Sequence, residues 1–168
     1  MRSLWLLPAL LWCGDASAQS CPDAGADACV DWLAGLSGAS EGSGFWRHQL
    51  QRAADGKTNG VAVTAEELDI LLEDLRGFAL PESMHMDGYL EAVAVLEVVD
   101  NSDAGMKFGK ELLLAELNHF YGLGLSSAAM SEHILFRCEH LAIRIGLGLA
   151  DPAEVAWYQQ VLATLNSL

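Results

Sequence analysis

The chain has 168 residues, a mean hydropathy of +0.23 and a formal net charge of −14, from 9 basic and 23 acidic side chains. This charge argues against nucleic acid or an anionic membrane surface as a partner, because both attract clusters of lysine and arginine, which no window of this sequence supplies. The length is sufficient for one hydrophobic core and requires no second domain.

The first 18 residues have the organisation of a secretory signal peptide. Arg2 precedes an apolar run over residues 4–12, and Ala-Ser-Ala at 16–18 is a small-x-small triplet that signal peptidase would cut before Gln19. The run is too short to span a membrane, which takes about 20 apolar residues. We therefore expect an exported protein, secreted or held in the periplasm or cell envelope, with no membrane insertion of the mature chain.

Three cysteines remain after this cleavage, in a compartment that permits disulfides. Cys21 and Cys29 enclose a short loop and could pair with each other, whereas a bond to Cys138 would tie the N-terminal segment to a late helix. The spacing leaves both pairings open. We expect a pair that involves Cys138, with a buried neutral thiol as the alternative state of whichever cysteine is left over.

Helical periodicity dominates the mature chain and predicts an all-α fold of about six or seven helices in one compact array. A Cys-containing N-terminal segment with a Gly/Ser-rich linker covers residues 19–43, and a helical domain covers 44–168. Only Val61-Ala62-Val63 has strand character, and it is short, so we expect no sheet.

The helix boundaries follow from capping and turn residues. Thr64 to Glu67 is typical of a capping box, and Gly77 ends the helix that it begins. The last helix begins with three such signals: Asp151 is typical of an N-cap, Pro152 of a first-turn proline and Glu154 of a capping-box glutamate. The other predicted helices cover residues 28–36, 45–54, 87–99, 106–121 and 127–147, and the last runs over 152–166.

Two segments carry a resemblance to a known module. Residues 44–48 read Gly-Phe-Trp-Arg-His, and residues 109–118 form a leucine- and alanine-rich helix that ends in Leu-Asn. The pair resembles an uncharacterised module of bacterial secreted and cell-surface proteins, which opens with a Gly-aromatic-Trp-basic motif and closes with such a helix. The resemblance covers residues 44–121 and lacks the proline that usually follows the first motif. It implies an exported, surface-associated protein and does not imply a particular activity.

The motif residues have a structural and a functional interpretation. Phe45 and Trp46 supply large apolar area for a core, and Asn118, near a helix end, can bond loose backbone groups. Core packing is the interpretation that we favour. The alternative is a ligand cleft lined by Trp46, His48 and Asn118.

Two loops have partial calcium-binding patterns. Residues 55–66 and 100–111 each keep Asp, Gly and Glu at positions 1, 6 and 12 of a helix-loop-helix site. Lys57 at position 3 would repel the ion in the first loop, and Ala104 at position 5 offers no side-chain oxygen in the second. Asp100, Ser102 and Glu111 would be the ligands of the second loop, but ordinary turn chemistry also explains the pattern.

The histidines give little support to a zinc site. His133 and His140 are seven residues apart on one helix, about 10.5 Å of rise, which is too far for one ion unless Glu116 and His119 from the preceding helix join them. We expect these residues at the boundary of the core, paired with glutamates or with Arg137 and Arg144.

No nucleophile or phosphate-binding motif is present in the sequence, and enzymatic activity has no support from it. The sequence therefore favours an exported acidic module with a structural or protein-interaction role, whose partner would be another extracellular or envelope protein. The alternative is a metal-binding protein, for calcium or zinc, or a metal-dependent enzyme.

Overall fold

The computed structural model describes residues 38–99 and 102–168, which contain six helices and two very short strands. The all-α fold predicted from the periodicity is confirmed for this part of the chain. In chain order the elements are β1 (Gly38–Ala39), α1 (Ser43–Ala54), α2 (Ala65–Phe78), α3 (Tyr89–Leu96), α4 (Ala104–Phe120), β2 (Gly124–Leu125), α5 (Ala128–Gly146) and α6 (Pro152–Leu165).

α4 is the central helix, and α1, α2, α3, α5 and α6 all pack against it. Its sequence explains this position, because the run from Leu112 to Leu117 is apolar on every side of the helix apart from Glu116, and a helix that is apolar all round is stable only when it is surrounded. Phe108, Leu112, Leu113 and Leu117 are 0% exposed. The core of the described chain is therefore arranged around α4.

A two-residue antiparallel pair corrects our expectation that no sheet would form. β1 lies in the segment predicted to be a free linker, and Gly38 is opposite Leu125 while Ala39 is opposite Gly124. A Cβ atom at Gly38 would lie 1.9 Å from the carbonyl oxygen of Gly124, so glycine is required for this approach. Val61 to Val63, the predicted strand candidate, is a loop whose Val63 side chain is buried.

The predicted helix starts agree with the caps found. The hydroxyl of Thr64 accepts a hydrogen bond from the Glu67 backbone N–H at 3.2 Å, and the Glu67 carboxylate accepts from the Thr64 backbone N–H at 2.7 Å, which completes the capping box. Asp151 caps α6 through the backbone N–H of Ala153. Glu154 instead forms an ion pair with Arg144 on α5, so its predicted capping-box role is wrong.

The helix ends differ from the predictions by a few residues, most at α3, which is shorter at both ends than the predicted 87–99. None of the helices in residues 38–99 and 102–168 is long and apolar enough to cross a membrane. The predicted signal peptide, the predicted helix at 28–36 and the cysteines at positions 21 and 29 lie outside the described residues.

Candidate functional site

The two motif segments meet in the core, where one asparagine holds them together. The Oδ1 atom of Asn118 accepts hydrogen bonds from the Trp46 indole Nε1–H at 3.1 Å and from the Glu41 backbone N–H at 2.8 Å. The Nδ2 group of Asn118 donates to the Glu41 carbonyl oxygen at 3.1 Å. Asn118 is 1% exposed, and the backbone groups that it bonds belong to Glu41, ahead of α1, instead of to the end of its own helix. We call Glu41, Trp46 and Asn118 the joint. It holds the segment that leads into α1 against the C-terminal end of α4.

Aromatic packing encloses the indole of Trp46. Phe45 and Tyr121 contact it edge to face, with ring centroids at 5.2 and 5.3 Å, a favoured geometry for aromatic pairs. Trp46 is 0% exposed, while the side chain of His48 is exposed on the opposite side of α1. Of the predicted cleft, the structure brings Trp46 and Asn118 together in the core and leaves His48 at the surface.

One basic residue from each motif lines a surface depression beyond this joint. Arg47 and Lys110 line a depression of about 290 Å³, together with residues 96–99, which include Glu97. Lys110 Nζ donates to the carbonyl oxygen of Val98 at 2.8 Å. The carboxylate of Glu97 in the same lining offsets one of the two positive charges.

The residues predicted for calcium are only partly described. Asp100 lies outside the described residues. Ser102 is partly exposed, and its backbone N–H donates to the Val99 carbonyl oxygen at 3.0 Å. Glu111 Oε2 accepts a hydrogen bond from Asn166 on α6 at 2.8 Å. Among the described residues no group of three or more His, Cys, Asp or Glu side chains could hold a metal ion, and the calcium hypothesis stays a prediction.

We expect calcium to have little effect on stability. A working site would stabilise the fold by about 2.7 kcal/mol when calcium is in hundredfold excess over Kd. Ala104, however, supplies no side-chain oxygen, and the Glu111 carboxylate already accepts a hydrogen bond from Asn166. Melting temperatures measured with chelator and with about 1 mM calcium, the range in which extracellular modules bind, should therefore agree. A rise of several degrees that Asp100→Ala and Glu111→Gln both abolish would contradict this expectation.

Among the described residues, His133 and His140 on α5 do not form a metal-binding group with His119 on α4. His133 and His140 are both exposed, and His140 packs edge to face on Phe136 with centroids at 4.8 Å. His119 lies 3.8 Å from Glu132, and burial lowers its pKa while Glu132 opposes that shift. A glutamate, one of the two kinds of partner that the sequence predicts, therefore lies beside His119, while Arg137 and Arg144 have other partners.

Both arginines instead contact α6. Arg137 donates to the Tyr158 hydroxyl at 3.3 Å, and Arg144 pairs with Glu154.

Cys138 is a free thiol in the interior of α5. It is 0% exposed, and burial raises the pKa of its thiol well above the usual value, with Glu116 and Glu139 adding to the shift. Within residues 38–99 and 102–168 Cys138 has no disulfide partner, and the two cysteines to which the sequence favours a bond lie outside that part of the chain. A buried neutral thiol, the alternative in the sequence analysis, describes Cys138 as it is found, and such thiols are usually inert.

Two glutamates lie buried side by side between α4 and α5. Glu116 and Glu139 are both 0% exposed. Glu139 Oε2 accepts hydrogen bonds from the Leu80 backbone N–H at 2.9 Å and from the Ser83 hydroxyl. Both oxygens of Glu116, and Oε1 of Glu139, have no partner among the described residues. Burial raises the pKa of each carboxyl group, and Glu139 raises that of Glu116 further.

We did not predict this buried pair, although the positions of the two glutamates in the sequence indicate it. Glu116 lies three and four residues after Leu113 and Leu112 and four before Phe120, so it shares a face with residues that belong to the core. Glu139 lies four residues after Leu135, another fully buried leucine. Its neighbour His140 suggested a position at the boundary of the core, and Glu139 is fully buried instead.

An apolar groove lies where the N-terminal ends of α4 and α6 meet the C-terminal end of α5. This α4–α6 groove has a volume of about 300 Å³. Its lining is apolar or glycine except for one glutamine, and consists of Ala104, Gly105, Ile145, Gly148, Ala150, Pro152, Val155, Ala156 and Gln159. Leu147 and Leu149 flank the groove residue Gly148 and are 66% and 69% exposed.

The turn that ends α5 fixes the backbone that carries these two leucines. Gly148 has φ +68°, its N–H donates to the Ile145 carbonyl oxygen at 3.0 Å, and the Leu149 N–H donates to that of Arg144 at 2.8 Å. This is the hydrogen-bond pattern of a Schellman motif. The residue at the position of Leu149 usually packs back on the last helical turn. Leu149 is mostly exposed instead, so its apolar area is left for another contact.

Comparison with known proteins adds no identity to these observations. No family model, no curated protein and no solved structure matches the chain.

Proposed function

We propose that this chain is an exported acidic helical module that binds another extracellular or envelope protein through the α4–α6 groove. Export is proposed from the signal-peptide pattern of residues 1–18, and a bacterial surface location from the resemblance of the two motif segments. In that compartment Cys21 and Cys29 are the proposed disulfide pair, because Cys138 is a buried free thiol.

The observation that carries the binding role is the exposure of Leu147 and Leu149 beside an apolar groove. Single exposed apolar residues are common on protein surfaces, but two large ones next to an apolar concavity are typical of interaction sites. The groove, of about 300 Å³, has room for one or two large side chains. The Schellman motif fixes the backbone that carries the two leucines in advance, which lowers the backbone entropy lost on binding.

Charge indicates the chemistry of the partner. The chain has a net charge of −14, so its field attracts basic surfaces and repels acidic ones. We therefore propose a partner segment that places a large apolar side chain in the groove and carries lysine or arginine beside it. Such complementarity mainly accelerates association and makes the binding sensitive to salt.

Crosslinking capture with matched variants tests this proposal. Mature wild-type protein is incubated with envelope and culture-medium fractions of the producing organism, beside Leu147→Ser/Leu149→Ser and the control Ile70→Ser/Leu90→Ser. The control removes two other leucine-sized side chains, 56% and 61% exposed, from α2 and α3. We expect a partner captured by wild type and control, lost from the groove variant, and weakened by added salt.

Equal capture by the two double variants would show that the groove is not the contact. No reproducible partner, together with turnover of a small substrate by the pure protein, would overturn the binding role itself.

A further inference from the structure

The carboxyl groups of Glu116 and Glu139 are placed where two negative charges cannot both be stabilised. Both side chains are 0% exposed. Among the described residues, no lysine, arginine or histidine forms an ion pair with either of them. Burying one unpaired carboxylate already carries a large desolvation cost, and a second one beside it adds repulsion.

The hydrogen bonds distinguish the two groups. Glu139 accepts two hydrogen bonds through Oε2, from the Leu80 backbone N–H and the Ser83 hydroxyl, both in the connection between α2 and α3. Donors of this kind stabilise the ionised form of a carboxyl group. Glu116 has no donor at either oxygen among the described residues. Ionisation is therefore easier at Glu139 than at Glu116.

We propose that Glu116 and Glu139 share one proton, which Glu116 carries and donates to Oε1 of Glu139, and that loss of this proton as the pH rises weakens the packing of α5 on α4. The shared proton supplies partners for two of the three buried carboxyl oxygens that otherwise have none: one oxygen of Glu116 becomes a donor, and Oε1 of Glu139 becomes its acceptor. A hydrogen bond between an acid and a carboxylate is stronger than one between neutral groups.

The other groups around the pair do not remove the need for this proton. On α5, Cys138 is a neutral thiol beside both glutamates, and His140 favours the ionised form of Glu139 only. The α2–α3 connection contributes Ser83 and the Leu80 N–H. Among the described residues, no charged side chain of α1, α2, α3 or α6 forms an ion pair or a hydrogen bond with either glutamate.

The direction of the pH dependence follows from the sign of the shift. The pKa of Glu116 in the folded chain lies well above its ordinary value of 4.5 because of burial and the neighbouring Glu139. Between those two pKa values the folded state binds more protons than the unfolded state, so stability falls as the pH rises. The stability is fully present below about pH 4.5 and is lost as the pH rises through the folded pKa. If the pKa of Glu116 in the folded chain is one unit higher, the melting temperature changes by about 3–5 °C for a chain of this size.

Thermal unfolding from pH 5 to pH 9 tests the proposal in three proteins: wild type, Glu116→Gln and Glu73→Gln. The amide introduced by Glu116→Gln can donate to Glu139 as the acid does, but it does not ionise. We expect the melting temperature of wild type to fall with pH, that of Glu116→Gln to fall less and to be higher at pH 9, and that of Glu73→Gln to follow wild type, because Glu73 is exposed on α2. Parallel curves for Glu116→Gln and wild type would overturn the proposal.

Infrared spectroscopy of the wild-type chain gives a second, independent result. A protonated carboxyl group absorbs separately from a carboxylate, so we expect its band at neutral pH, and we expect it to be missing in Glu116→Gln. If the latter fails to fold, Glu139→Gln is compared instead: it removes the carboxylate that accepts the proton and leaves the proton on buried Glu116, so we expect the band to persist at a changed frequency. Absence of the band in folded wild type at pH 7, or an unchanged frequency in Glu139→Gln, would overturn the shared proton.

Discussion

Trp46→Ala is expected to lower the free energy of unfolding by about 3–5 kcal/mol, the cost of truncating a large buried aromatic side chain. The indole is 0% exposed, packs edge to face on Phe45 and Tyr121, and donates its N–H to Asn118. The substitution removes all of these contacts and leaves a cavity. Urea denaturation followed by circular dichroism measures the change.

Trp157→Ala is the matched control, because Trp157 lies on α6 with its side chain partly exposed. The same truncation there should cost clearly less, since water already reaches part of the ring. An unchanged denaturation midpoint for Trp46→Ala would mean that the indole is accessible, and an accessible tryptophan in this motif would favour the ligand cleft.

Asn118→Ala is expected to cost about 2–3 kcal/mol, although it removes only a few atoms. The amide satisfies three groups, the Trp46 indole N–H and the backbone N–H and carbonyl of Glu41. Leaving a buried donor or acceptor without a partner costs about 1–3 kcal/mol. The cost should be greatest at the indole, because Glu41 is partly exposed and can turn to water.

Asn166→Ala provides the control for this prediction. Asn166 donates to the carbonyl oxygen and carboxylate of Glu111 but is partly exposed, so its loss should cost about 1 kcal/mol or less. A double-mutant cycle between Trp46→Phe and Asn118→Ala should show coupling of about 0.5–3 kcal/mol, as residues in direct contact do. Additive effects of the two substitutions would contradict the joint.

Local signals in the sequence predict most of the helices because each signal acts within a few residues. The capping box at Thr64 and the N-cap at Asp151 satisfy backbone donors of their own first turns, so their outcome depends little on the rest of the fold. The apolar positions of α2 likewise identify its buried face. Leu68, Leu71, Leu72 and Leu75 are all buried, as their spacing predicts.

Contacts between distant residues account for what the sequence did not predict. The pairing of Gly38 with Leu125 joins segments 87 residues apart, and a glycine-rich stretch alone is equally typical of a free linker. Glu154 could cap its own helix or reach Arg144, and only the placement of α5 beside it decides between these. The buried glutamate pair depends in the same way on how α5 is rotated against α4.

Hydrogen exchange at the Trp46 indole N–H, followed by nuclear magnetic resonance, tests the central claim that the two motif segments form a buried joint. The signal is assigned by its loss in Trp46→Phe, and the indole N–H of Trp157 serves as the internal reference. A hydrogen-bonded N–H in a fully buried ring exchanges only when the surrounding core opens. We therefore predict exchange as slow as that of the most protected backbone amides of α4, whereas exchange as fast as that of Trp157 would contradict the joint.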